Sequence, residues 1–212
     1  LVNVIEGTCK LNQAMIHDKN KHELYLIPAA QTRDKSCIEP EQLREVCATL
    51  EEDFDYVLMD CPAGIEQGFK NAVAAAQEAI LVTTPEVSSI RDADRVIGLL
   101  EASELHRPKL IINRINPGMV KHGNMLDQRD IVDLLAVDVL GLVPVDDRTI
   151  TAANRGVPVV HDQRSPAGAA FLRIAARVDG DEVPFMDVES KAGLLSRFKG
   201  IVGINGRAYS HA

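Results

Sequence analysis

What this sequence lacks narrows it first. No stretch of 18 or more uninterrupted apolar residues occurs, and the first residues show no basic region followed by an apolar run, so neither a spanning helix nor a signal peptide is indicated. A cytosolic protein is the expectation. The four cysteines, Cys9, Cys37, Cys47 and Cys61, form no C-x-x-C pair, which argues against a zinc or iron–sulfur site and for reduced thiols. His17, His22, His106, His122, His161 and His211 are equally dispersed, and no G-x-S-x-G elbow accompanies them, so no hydrolase triad is indicated. Positive charge is also scarce. The 23 Lys and Arg stand against 31 Asp and Glu, a net charge of −8 that disfavours a protein built to coat nucleic acid. The imbalance is uneven: from Lys191 onward there are Lys191, Arg197, Lys199 and Arg207 and no acidic residue, so this tail carries +4 and the rest −12.

What is present reads as one α/β domain with a mainly parallel sheet, because short apolar runs alternate with helix-period segments in a 212-residue chain that is 46% hydrophobic. Strands are expected at 24–28, 56–60, 79–84, 109–113 and 139–144. Pro40 suits a first helical position, and Leu43, Val46, Cys47 and Leu50 recur at helical spacing behind it. The Ala-rich segment 68–79 suits a closely packed helix. Ser89 and Asp92 form a plausible capping box for a helix to about residue 105, whose inner face is Ile90, Ala93, Val96, Ile97 and Leu100. Further helices are expected at 127–136, 147–154 and 166–178, the last opened by Pro166, with a polar linker over 181–190. The chain opens on Leu1 rather than Met, with no strand and Gly-rich turn ahead, and a missing N-terminal unit is expected.

The strongest local signal is Tyr56-Val57-Leu58-Met59-Asp60, an apolar run ending in a carboxylate. In open α/β sheets ligands bind at the carboxyl ends of strands, and a carboxylate there can hold Mg²⁺, commonly through water. A turn-initiating Asp is the plainer alternative. Cys61-Pro62-Ala63-Gly64 follows as a backbone-permissive turn whose Gly64 N–H could approach a terminal phosphate.

Residues 60–72, Asp-Cys-Pro-Ala-Gly-Ile-Glu-Gln-Gly-Phe-Lys-Asn-Ala, closely resemble the Walker B and switch II region of MinD-type ATPases, members of the ParA/MinD deviant Walker A group. Residues 82–100, Ile112-Asn113-Arg114, Gly141-Leu142-Val143-Pro144 and 154–160 are similar to the same family, so the resemblance runs from Leu1 to about Gly203. It implies an incomplete three-layer fold of the P-loop NTPase type over 1–180, with ATP and Mg²⁺ as cofactors. Carried over by position, Asp60 is implied as the Mg²⁺ carboxylate and Gly64 as the switch II glycine at the γ-phosphate. Asn113, with Arg114 beside it, matches the base-recognising strand end, and Pro144, Val145 and Asp146 match the loop closing over adenine. Glu86 falls in the Thr-Pro-Glu segment near the family's dimer interface. Ser88, Arg91, Asp92 and Asp94 match positions associated with regulator binding, implying MinC- and MinE-type partners and an ATP-bound homodimer. From the residues alone, Asn113 remains a reasonable turn residue, Pro144 a strand terminator, and the charged helix face merely solvated.

Two departures qualify the resemblance. The K-G-G-x-G-K-[ST] loop is absent, as is the acidic switch I segment, and the phosphate cradle is where most transition-state stabilisation arises; the chain as given is expected to be inactive toward ATP. Gly200, Gly203 and Gly206 follow an amphipathic segment rather than a strand and do not replace that loop. Cys61 stands where serine is usual, a nearly isosteric change.

The tail is the second informative segment. Leu194, Leu195, Phe198, Ile201 and Val202 define one apolar face flanked by Arg197 and Lys199, which suits a helix over 191–203 lying in an anionic membrane interface, or a helix packed on its own domain. The family's membrane-targeting helix matches this position and favours the membrane; 204–212 is expected to be a disordered tail. The resulting expectation is an ATPase that regulates division-septum placement, peripheral on the inner face of the plasma membrane and not bound to nucleic acid. Its rivals are a ParA-type DNA-segregation ATPase, which would need basic patches on the domain, and a non-enzymatic membrane adaptor.

Overall fold

The computed structural model describes residues 1–19, 23–29, 38–61 and 64–185. The expected membrane residues Leu194, Leu195, Arg197, Phe198, Lys199, Ile201 and Val202 lie outside them, as does the tail beyond. The chain divides into two compact units: residues 1–79 with 98–106, and residues 80–97 with those from 107 onward.

The second unit holds a three-stranded parallel sheet in the order β3 (Ile80–Thr83), β4 (Lys109–Ile115), β5 (Val139–Pro144). The centre of β4, Leu110-Ile111-Ile112, is an uninterrupted apolar run, as a strand covered on both faces requires. On one face Leu110, Ile112 and Ile115 meet Ile90, Ala93 and Ile97 of α5 (Val87–Ala102) and Ile131 and Leu135 of α7 (Gln128–Leu135). On the other, Ile111, Leu140 and Val143 meet Ala167, Ala170 and Ile174 of α9 (Pro166–Val178). Helix, sheet and helix therefore form three layers. Between these elements lie α6 (Pro117–Lys121), α8 (Arg148–Asn154) and a 3₁₀ turn at Val159–His161. Short side-chain caps start the helices: Asn116 Oδ1 accepts from the Gly118 and Met119 N–H groups, and Asp127 from Asp130 N–H. Gly141 allows α9 to approach β5, since a Cβ there would lie 2.2 Å from Ile174 Cγ1.

The first unit is built on α3 (Pro40–Glu51) and α4 (Gln67–Ala75), with α1 (Val2–Ile5) against α3 and a short α2 (Leu11–Ala14). Arg44 donates from Nε and Nη2 to the Ala74 carbonyl at 3.1 and 3.0 Å, tying α3 to the end of α4. Buried Asn71 is satisfied on both sides, donating to Ile38 O and accepting from Gln67 Nε2, each at 2.7 Å.

Three expectations are corrected. The strand expected at 24–28 is only β2 (Tyr25–Leu26), paired antiparallel with β1 (Ile16–His17), because its aromatic side packs locally: the Tyr25 ring lies 4.6 Å from His17 and 5.3 Å from Phe54. Residues 56–60 form no strand. No described strand pairs with them, so their apolar pattern has no ladder to join and leaves Leu58 82% exposed. Helix α5 starts at Val87, ahead of the expected Ser89–Asp92 box, with Ile90 N–H donating to Glu86 O.

Candidate nucleotide site

Parallel strands place all their carboxyl ends on one edge of a sheet, and in the second unit that edge collects most of the expected site. Past β3 come Thr84 and Glu86; at the end of β4 lie Asn113 and Arg114; at the end of β5 lie Pro144, Val145 and Asp146. The β4 and β5 groups are bound to one another directly. Ile115 pairs with Pro144, and Val145 N–H donates to Ile115 O at 2.9 Å.

The end of β4 is shaped by an irregularity. The register with β5 shifts between Ile112 and Ile115, and Arg114 sits at φ +61, a left-handed conformation uncommon for a side-chain-bearing residue. Its amide donates to the Asn113 side-chain oxygen at 2.9 Å, so Asn113 stabilises the bend that turns it out of the ladder. Asn113 is half-buried and Arg114 exposed.

Asp146 sits deeper in its surroundings than a solvent-facing loop carboxylate. Its Oδ1 accepts from Arg148 N–H at 3.0 Å, and its Oδ2 from the Ser165 hydroxyl and from Ala167 N–H at 3.3 Å. Desolvation pushes this carboxyl up, but the hydrogen bonds from Ser165, Arg148 and Ala167 and the Arg148 charge outweigh it and hold it below the ordinary aspartate value. Arg164 N–H donates to Asp162 Oδ1 at 3.0 Å, and the Arg148 guanidinium donates to its Oδ2 at 2.7 Å; these two contacts, in that order, with the charges behind them, keep Asp162 low as well.

Glu86 is exposed, with its Oε2 2.7 Å from the Thr84 hydroxyl, which is itself 2.9 Å from Ser89 Oγ. Ser88, Arg91, Asp92 and Asp94 are all exposed on α5, with Asp94 at the margin of the stripe that buries Ile90, Ala93 and Ile97. Val96, expected on the inner face, is half-buried.

Asp60 and Gly64 belong to the first unit. Asp60 is exposed, and its charge, after burial, raises the neighbouring Cys61 thiol. Gly64 adopts φ +95 with nothing within 4 Å of a hypothetical Cβ, so the glycine is needed there for backbone conformation rather than for space. Among the described residues no group of three or more His, Cys, Asp or Glu is arranged to hold a metal ion. A single exposed carboxylate is still compatible with Mg²⁺, which keeps several waters and takes one or two carboxylates together with substrate phosphates.

Sequence reasoning missed Ser165, Arg148 and Asp162. Ser165 carried a legible sign, since Ser followed by Pro before an apolar helical run marks a capped helix start. Its link to Asp146, 19 residues earlier, did not.

Comparison with known proteins places these features in a family context. A family model described as Cellulose biosynthesis protein BcsQ matches residues 20–136. A longer match is to the septum site-determining protein MinD of Bacillus subtilis, 47% identical over 96% of this chain and 77% of the relative. Among solved structures, the Aquifex aeolicus MinC:MinD cell division protein complex is similar at 41% identity and a TM-score of 0.81, over 87% of this chain and 74% of that one. The Pyrococcus horikoshii septum site-determining protein MinD complexed with Mg-ADP is similar at 29% identity and a TM-score of 0.72, over 84% of this chain and 72% of that one.

Proposed function

The chain belongs to the MinD family of septum site-determining proteins, and from that premise we propose that it forms the base-binding, partner-binding and membrane-binding part of an ATPase that regulates septum placement. The observation that carries this reading is the carboxyl edge of the second unit's sheet, where Asn113 and Arg114 on β4 adjoin Pro144, Val145 and Asp146 on β5. Two adjacent strand ends presenting a side-chain amide and an ordered backbone suit a nucleotide base. The Mg-ADP held by the Pyrococcus horikoshii relative supports the same ligand class.

In this reading Asp60 supplies the carboxylate for a hydrated Mg²⁺, and Gly64 supplies a backbone N–H at the terminal phosphate. Bound Mg²⁺ neutralises phosphate charge as it develops. Asn113 and the 144–146 loop hold the base, and Glu86 lies toward a second copy in the ATP-bound homodimer. The exposed face of Ser88, Arg91, Asp92 and Asp94 receives MinC- and MinE-type regulators; the MinC:MinD complex of the Aquifex relative supports a partner of the first type. Residues 191–203 attach the protein to the inner face of the plasma membrane.

The test is Asp60→Ala in the gene product that contains this chain. Mg²⁺-dependent ATP hydrolysis is expected to fall by about 10²-fold or more, since charge neutralisation at the phosphates is lost. The circular dichroism spectrum should not change, because Asp60 is exposed and outside the core. Wild-type turnover in this variant would overturn the assignment.

A further inference from the structure

We propose that Asp146 is a positioning residue that reads no base itself but latches the loop after β5 onto the start of α9 through Ser165, holding the Pro144–Val145 backbone in place for the base; this rests on the nucleotide reading above. Both carboxylate oxygens are turned inward. One takes the Ser165 hydroxyl and the Ala167 N–H, the other the Arg148 N–H. Ser165 is 1% exposed, and the same hydroxyl oxygen that meets Asp146 accepts the Gly168 N–H at 2.9 Å, so one buried group both caps α9 and fastens the loop. A carboxylate engaged by three internal donors has little capacity left for an exocyclic amine.

A second fastening runs in parallel. The Arg148 guanidinium binds Asp162, whose other oxygen takes the Arg164 N–H, so residues 146–148 are tied to 162–167 at two points. From the opposite side Val145 N–H is tied to Ile115 O of β4. The backbone of 144–146 is thus gripped by a strand on one side and a helix start on the other, while the Val145 side chain is 48% exposed. Base recognition by backbone groups depends on their placement to within about half an ångström, so loosening either fastening weakens base binding and base discrimination before it touches the chemistry at the phosphate.

The experiment measures ATP and GTP turnover by the gene product and by its Ser165→Ala and Asp162→Asn variants. Ser165→Ala is expected to raise KM for ATP on the order of tenfold with kcat within about twofold, and to lower the ATP-over-GTP preference, the pattern of lost uniform binding. Ser165 is buried, so a second variant on a more exposed side chain separates loss of the latch from loss of the fold. Asp162→Asn, on a side chain 31% exposed, removes the charge facing Arg148 while keeping an acceptor for Arg164 N–H, and should shift KM and preference in the same direction by roughly threefold. Unchanged KM and base preference in folded Asp162→Asn, or a fall in kcat with KM unchanged, overturns the proposal. If the wild-type gene product shows no saturable ATP turnover, the nucleotide reading falls, and amide hydrogen exchange over 145–149 judges the latch alone. Faster exchange in Asp162→Asn supports it, and unchanged exchange overturns it.

Discussion

At the residue scale, Asp146 shows what one sequence can and cannot disclose. The family resemblance implied it in the loop closing over adenine, and in the structure it follows β5 at the carboxyl edge of the sheet. Its partners were not legible, because a contact between residues 146 and 165 leaves no local periodicity to read. The structure adds a consequence for acid stability. A carboxyl held below its ordinary value in the folded state binds fewer protons there than in the unfolded chain. Its stabilisation is therefore fully present above the ordinary aspartate range and is lost as pH falls through the lowered value. Asp162 is shifted the same way, so both act in one window, below about pH 4. Urea denaturation of the wild type and of Asp146→Asn at pH 7 and at pH 3 checks this. The variant should be the less stable at pH 7, and the difference should shrink at pH 3, below the ordinary aspartate value, where the unfolded wild-type chain gains a proton that the folded state binds less readily. A difference that stays constant across the two values would show that the hydrogen bonds of Asp146 do not depend on its charge.

At the scale of elements, legibility followed burial. β4, β5, α7 and α9 were readable because their apolar patterns face a core, and β5 and α9 run over the expected residues. The four-residue helices α1 and α2 and the two-residue strands β1 and β2 are too short to establish any period, and only tertiary packing decides them. Residues 56–60 failed for the opposite reason: the strand pattern is present, but pairing is a property of neighbours. The contact between β5 and α9 gives a sharp test. Alanine at Gly141 would set its Cβ 2.2 Å from Ile174 Cγ1 and 2.5 Å from Cδ1, distances that packing does not permit, so either α9 lifts or Ile174 leaves its rotamer. A loss of about 1–3 kcal/mol in denaturant unfolding is expected. Combining it with Ile174→Ala, which removes both clashing atoms, should cost less than the sum of the single changes, because the pair is coupled. Additive losses would mean that α9 does not rest on Gly141.

At the scale of the whole molecule, the described residues form two compact units that the sequence does not announce, and the reason is physical. Residues 98–106 belong with the first unit although they follow part of the second, so no linker or compositional change marks the division. Charge is the global property the sequence does state: +4 from residue 191 onward against −12 elsewhere. That separation favours an anionic surface for the tail alone. If Leu194, Leu195, Phe198, Ile201 and Val202 entered a bilayer interface completely, each would contribute about 1.5–3 kcal/mol, though interfacial burial is partial. Arg197 and Lys199 add on the order of 1 kcal/mol apiece near anionic lipid. Ordering roughly a dozen residues opposes this by about 1–2 kcal/mol each, which leaves a single tail near balance. If the proposed ATP-bound dimer joins two tails, the second insertion becomes intramolecular and avidity rises by roughly 10²–10⁴ without a new contact. Co-sedimentation of the gene product with anionic vesicles should therefore be weak without nucleotide and strong with ATP. Phe198→Glu should abolish the ATP-driven fraction, since it places a charge in the middle of the apolar face and shares the negative sign of the lipid, which repels it. Equal sedimentation with and without ATP, and in the variant, would remove residues 191–203 from the mechanism.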